Sequence, residues 1–146
     1  MSRRGAFSNG WRVYCALAGG GDTLTGVLLM TAPILTLRLM GIEPPAADPV
    51  FLRFIGAFVT GVGLCYGLPF VKPGGAGAED LARERLVTIF DATALVRFSV
   101  AALLTVALLR GDLAPAWRTV AVTDFLLGGF QVFARVFLLR RETGRG

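Results

Sequence analysis

Apolar residues fall in four blocks along the chain, at 13–39, 50–71, 86–109 and 116–139, with polar punctuation between them. Each block exceeds the roughly 20 residues that a helix needs to cross a hydrocarbon core. Gly41-Ile42-Glu43-Pro44-Pro45 closes the first block and Lys72-Pro73-Gly74-Gly75 the second. Arg110-Gly111-Asp112 closes the third, and Pro115 then falls at the start of the fourth, where a missing N–H does no harm. Proline is tolerated inside membrane helices, so Pro33 predicts a kink in the first span rather than its end. Short links make neighbouring spans antiparallel. The expectation is an all-α integral membrane protein: one transmembrane domain over 1–146, folded as a four-helix up-down-up-down bundle.

Small and polar residues recur at helical spacing within the blocks. Cys15, Gly19, Asp22, Gly26 and Pro33 form one stripe, and Arg53, Gly56, Thr60, Gly63 and Gly67 a second. Asp124, Gly128, Gln131 and Arg135 form a third, at spacings of 4, 3 and 4. Small residues let helices approach closely in lipid, where Gly63 with Gly67, and Ala57 with Gly61, have the four-residue spacing of a common packing motif. These stripes are expected to face inward.

Composition agrees with the pattern. The chain has 146 residues, 54% of them hydrophobic and 17% charged, with mean hydropathy +0.64. Soluble domains carry about 25% charged residues, and a chain this short has too little interior to hide so much apolar side chain. The excess must face lipid. A disordered chain, a disulfide-stapled secreted domain and a water-soluble enzyme are excluded. There is no histidine, which removes the usual haem, copper and zinc ligand sets and every imidazole-based triad; no cofactor or metal is expected.

The basic residues predict an orientation. Arg3, Arg4, Arg12, Lys72, Arg83, Arg85, Arg140, Arg141 and Arg145, nine in all, lie on the side that holds both termini. Arg38, Arg110 and Arg118, three, lie on the other. Cytoplasmic flanks carry the excess of Lys and Arg, so both termini are expected in the cytoplasm and the protein in the inner membrane. The net charge of +5 reflects these flanks and their contact with anionic head groups, not nucleic acid. Arg3 and Arg4 resemble the start of a leader peptide, but the apolar run after Arg12 is too long for one, so cleavage is not expected. Residues 73–80 read as a flexible loop and 140–146 as a solvated tail.

The charges inside the blocks carry the most information. Asp22, Asp91 and Asp124 lie within spans, as do Arg53, Arg97 and Arg135. A charge facing lipid at mid-membrane costs at least roughly 2.5–3.5 kcal/mol. Three acids and three bases are therefore expected to face inward and pair. Counted from the cytoplasmic ends, Asp91 and Arg135 lie about 6–8 Å deep, and Asp22 and Arg97 about 13–17 Å. This predicts an Asp91–Arg135 pair, an Asp22–Arg97 pair, and Asp124 shared between Arg53 and Arg97. With Gln131 on the same face as Asp124, these seven residues form the candidate ion-pair or ligand-binding network. It has three readings: a brace that fixes helix register, a pathway or pocket for a proton, ion or small polar ligand, or a catalytic carboxylate site. No nucleophile motif, phosphate loop or metal-ligand spacing accompanies the carboxylates.

Smaller signals have plain explanations. Gly19-Gly20-Gly21-Asp22 marks a close helix crossing, or an unwound stretch at a binding site. Cys15 and Cys65 are expected as free thiols packed as small apolar groups. Trp11, Tyr14 and Tyr66 at one boundary and Trp117 at the other fit aromatic belts. Phe51, Phe54 and Phe58, and likewise Phe130, Phe133 and Phe137, are expected to face lipid or a partner.

The glycine-rich stretch 18–26, the turn Ala32-Pro33…Leu39-Met40-Gly41, and Phe51-Leu52-Arg53-Phe54-Ile55-Gly56-Ala57-Phe58 opening the second span together resemble the DoxX-like group of small four-span bacterial membrane proteins. The resemblance implies an accessory role beside membrane redox systems and carries over no catalytic residue. The expected function is a non-catalytic accessory or structural subunit, whose partners are the lipid bilayer and other membrane subunits or further copies of itself. The competing expectation is a small oligomeric transporter or channel, for which Asp22 in the first span is the relevant feature.

Overall fold

The computed structural model describes residues 4–44, 46, 48–71 and 78–143, and side chains at 10–44, 46, 48–71 and 80–136. The described elements are helical: α1 (Arg4–Thr31), α2 (Pro33–Leu39), α3 (Pro49–Cys65), α4 (Ala78–Arg110) and α5 (Arg118–Thr143), with single 3-10 turns at Leu68–Phe70 and Pro115–Trp117. Four helical segments are long and apolar enough to cross a membrane: Gly10–Thr31, Pro49–Phe70, Asp80–Arg110 and Pro115–Val136. The chain is thus a multi-pass helical membrane protein by length and composition. It divides into two compact units, Met1–Arg85 and Leu86–Gly146.

Local chemistry sets the helix ends. Ala32 leaves the helical region at φ −137°, and α2 starts with Pro33 at its first position. The expected kink is therefore a one-residue break, because the proline ring disfavours helical geometry in the residue before it. The Ala32 amide still donates to Leu28 O at 2.8 Å, and Ala32 O accepts from the Thr36 amide at 3.0 Å. Asp48 caps α3 by accepting from the Val50 amide at 2.9 Å. The ends of α2 and α4 repeat one motif. Gly41 (φ +71°) donates to Arg38 O while Ile42 donates to Leu37 O; Gly111 (φ +77°) donates to Leu108 O while Asp112 donates to Ala107 O. These paired bonds satisfy carbonyls left open by a helix end, and the left-handed residue favours glycine.

Part of the expected 73–80 loop is helix: α4 already begins at Ala78. The rest of that loop, the side chain of Phe137 and the 140–146 tail apart from its helical backbone lie outside the described residues. With 33 residues, α4 is about 50 Å long, well beyond a hydrocarbon core of about 30 Å.

In the first unit, α1 and α3 touch backbone to backbone. A Cβ on Gly19 would lie 2.7 Å from Gly63 O, and one on Gly63 would lie 2.7 Å from Gly19 O. Gly26 and Gly56 repeat the relation at 2.6 Å in both directions. The two helices run in opposite directions, since Gly19 meets Gly63 while Gly26 meets Gly56. Each helix therefore presents glycines seven residues apart, the repeat of a left-handed seam.

This corrects the expected packing in two places. Gly61 and Ala57 are exposed, and Gly67 is also exposed and lies beyond α3, which stops at Cys65. The buried stripe of α3 passes through Leu52, Gly56, Gly63 and on to Tyr66, and Arg53 lies off it, exposed. Close to the helix start, a long basic side chain reaches the water boundary without crossing the interior. The expected stripe of the first apolar block is observed, with Cys15, Gly19 and Gly26 of α1 and Pro33 of α2 buried and Asp22 half-buried.

In the second unit, the buried positions of α4 are Leu86, Phe90, Thr93, Ala94, Arg97, Ala101 and Leu104. Those of α5 are Ala121, Gly128, Gln131 and Ala134, with Asp124 half-buried. Both sets follow the three-and-four spacing of one helix face. Along α5 this places Asp124, Gly128, Gln131 and Arg135 on a common side. A Cβ on Gly128 would lie 3.2 Å from the Phe98 ring, which also meets Phe125 edge to face at 5.8 Å.

Candidate functional site

The polar site lies between α4 and α5. Two opposed faces carry one Arg and one Asp each, and the later residue of α4 meets the earlier residue of α5. Arg97 Nη1 donates to Asp124 Oδ1 at 2.7 Å. Arg135 Nε lies 2.7 Å from Asp91 Oδ1. The helices are therefore antiparallel, with an ion pair at each of two levels.

The two pairs occupy different surroundings. The side chains of Arg97 and Asp124 are only 6% and 16% exposed. Those of Arg135 and Asp91 are 43% and 46% exposed. Helix length accounts for the contrast. Counted at about 1.5 Å per residue, Arg97 is about 20 Å from the Arg110 end of α4, and Asp124 about 9 Å from the Arg118 end of α5. They bracket the middle of a core about 30 Å thick. Asp91 is about 28 Å from the Arg110 end, close to the full thickness of such a core. A half-exposed ion pair is tolerable at that level, where head groups and water solvate it. At the level of Arg97 an isolated charge would be costly, and the pairing cancels it.

The lining is otherwise apolar or small. Ala94 and Ala101, about one helical turn to either side of Arg97 on α4, and Ala121, three residues before Asp124 on α5, are buried. Gln131, fully buried, adds an amide to the same face of α5. Thr93 Oγ1 donates back to Ile89 O at 2.7 Å, so its hydroxyl is satisfied within its own helix. The arrangement holds two opposite charges together in a place where neither survives alone. Its chemistry is that of a brace: the Asp124 carboxylate is committed to the Arg97 guanidinium, and Asp91 is ion-paired with Arg135.

Of the seven candidate residues, the structure brings Arg97 together with Asp124 and Asp91 together with Arg135, and places Gln131 on the face they share. Asp22 is half-buried on α1, and Arg53 is exposed on α3, both in the first unit. The sequence reading missed Phe98 and Phe125, the aromatic pair adjoining Arg97 and Asp124 in the chain. Their signal was present: each follows a charged residue inside an apolar span. Arg12, read from the sequence only as a flanking charge, has its guanidinium 5.7 Å from the centre of the Phe70 ring.

No family model matches the chain, and no curated protein or solved structure matches it either.

Proposed function

We propose that this protein is a non-catalytic subunit of the cytoplasmic membrane, an accessory or structural part of a larger assembly. In this reading the four spans form an up-down-up-down bundle with both termini in the cytoplasm, as the nine-to-three distribution of basic residues argues. The likeness to the DoxX-like group makes a membrane redox complex the first assembly to examine. The partners are other membrane subunits or further copies of this chain.

The observation that carries the reading is the Arg97–Asp124 pair, bonded at 2.7 Å and closed off from the surface at mid-span. Carboxylates that act as acids, bases or ligands need access to what they act on. This one is committed to a guanidinium, which suits cohesion and register. Purification in a gentle detergent, with identification of co-purifying proteins and pigments, tests the proposal. Stoichiometric recovery of other membrane subunits, or of a stable homo-oligomer, is the expected result; a lone monomer overturns it.

A second reading, a small oligomeric transporter or channel, draws on Asp22, a half-buried acid in the Gly10–Thr31 span. Intramembrane acids often mark ion and proton routes. Proton or cation flux into liposomes that is abolished by Asp22→Asn would favour it over the subunit reading.

A further inference from the structure

We infer that the first unit binds one anionic phospholipid in a groove along the α1–α3 seam, with its phosphate on Arg12. The groove measures about 340 Å³, and its lining runs from Arg12 past Gly19 and Gly20 to Thr23 on α1, and from Gly63 to Phe70 on the other side. From Arg12 to Thr23 is about 16 Å along the helix. The groove exists because α1 is bare there. A Cβ on Gly20 would meet nothing within 4 Å, while the neighbouring Gly19 sits against Gly63 and Tyr66.

Position and chemistry select the occupant. The groove lies within two segments apolar enough to span a membrane, Gly10–Thr31 and Pro49–Phe70. Hydrocarbon, not water, is therefore its natural filling. Charge sits at one end only. Arg12 lies at the start of the first segment, and Phe70, beneath its guanidinium, is the last residue of the second. The contact with the Phe70 ring holds the cation at the mouth, and none of the described residues lining the groove is acidic. A guanidinium at the membrane boundary pairs with phosphate through two parallel hydrogen bonds. An apolar trough ending in a cation matches an amphiphile with a chain on one side and a phosphate on the other. A lipid with a net negative head group is preferred over a zwitterionic one, whose own ammonium already offsets its phosphate.

The test uses the full chain reconstituted in nanodiscs of equal phosphatidylglycerol and phosphatidylcholine, then released and examined by native mass spectrometry. One retained phosphatidylglycerol, favoured about fivefold over phosphatidylcholine, is expected from one basic residue at an anionic surface. Gly20→Leu fills the trough and removes the retained lipid. Arg12→Gln leaves a lipid bound but without head-group preference. Gly21→Leu, at a position equally open but outside the groove, keeps both the lipid and the preference. Equal retention of the two lipids by the unaltered protein overturns the inference. So does undiminished retention in Gly20→Leu, or loss in Gly21→Leu as well, since either outcome means lipid bound to the general surface. Unchanged helical circular dichroism in the three variants confirms that they are folded.

Discussion

Arg97 on α4 donates to Asp124 on α5 at 2.7 Å, and both side chains are largely closed off. The pair joins two antiparallel helices and, counted along the helices, falls near mid-span, where charge would be least tolerated. Removing one partner strands the other. Arg97→Leu or Asp124→Leu alone should therefore destabilise the protein by about 3 kcal/mol or more. The double variant Arg97→Leu/Asp124→Leu leaves no orphan and should recover most of that loss. Thermal unfolding in detergent measures both. An unchanged melting temperature in the single variants would remove the pair's bracing role.

Asp91 and Arg135 form an ion pair at the same 2.7 Å separation, with the opposite expectation. Their side chains are 46% and 43% exposed, and by helix length they fall near a span end, where head groups and water would screen them. Asp91→Asn with Arg135→Gln should cost no more than about 1 kcal/mol, the range of solvated pairs. Raising the salt concentration should also shrink the effect. Melting curves at low and high salt, set beside those of the Arg97 variants, give the comparison. A loss as large as that of Arg97→Leu would mean that the first turns of α4 lie deeper than the helix length implies.

Much of this was legible in the chain. The four apolar spans follow from block length, and the polar face of α5 follows from Asp124, Gly128, Gln131 and Arg135, spaced four, three and four. The cost of burying charge is large enough to make Asp124 and Arg97 seek partners whatever the details. The α1–α3 seam was not legible in the same way. The sequence offers glycines at 19, 20, 21, 26, 56, 61, 63 and 67, and spacing alone allows both four- and seven-residue contacts. Which set meets depends on crossing geometry, and that depends on where α3 ends. Its stop at Cys65 takes Gly67 out of the pattern, and the rotation of α3 that buries Leu52 leaves Arg53 outside. The length of α4 was also underread, because its polar first turns look like loop when hydropathy is the only guide.

The orientation proposed from the basic residues has its own test. Phosphatase fused to the C-terminus should be inactive and a fluorescent protein fused there should fold and emit, as expected for a cytoplasmic end. Replacing Lys72, Arg83 and Arg85 while adding three Lys residues around Asp112 should weaken the bias and yield mixed topology. An active C-terminal phosphatase in the unaltered protein would reverse the assignment.

The seam between α1 and α3 makes the sharpest distinction among chemically identical substitutions. Gly26→Ala and Gly56→Ala each place a methyl group 2.6 Å from a backbone carbonyl of the other helix. Backbone cannot swing aside as a long side chain does, so the helices must separate and lose contact along their length. A cost of about 1–3 kcal/mol is expected for each, the usual range for overpacking. Gly21→Ala and Gly61→Ala add the same methyl where nothing lies within 4 Å. There the helix gains from losing a glycine, by about 0.5–1 kcal/mol. Four single alanine variants, ranked by midpoint of unfolding in mixed micelles, should thus split into two below and two at or above the unaltered protein. If all four fall together, glycine content and not the Gly19–Gly63 and Gly26–Gly56 contacts sets the stability of the first unit.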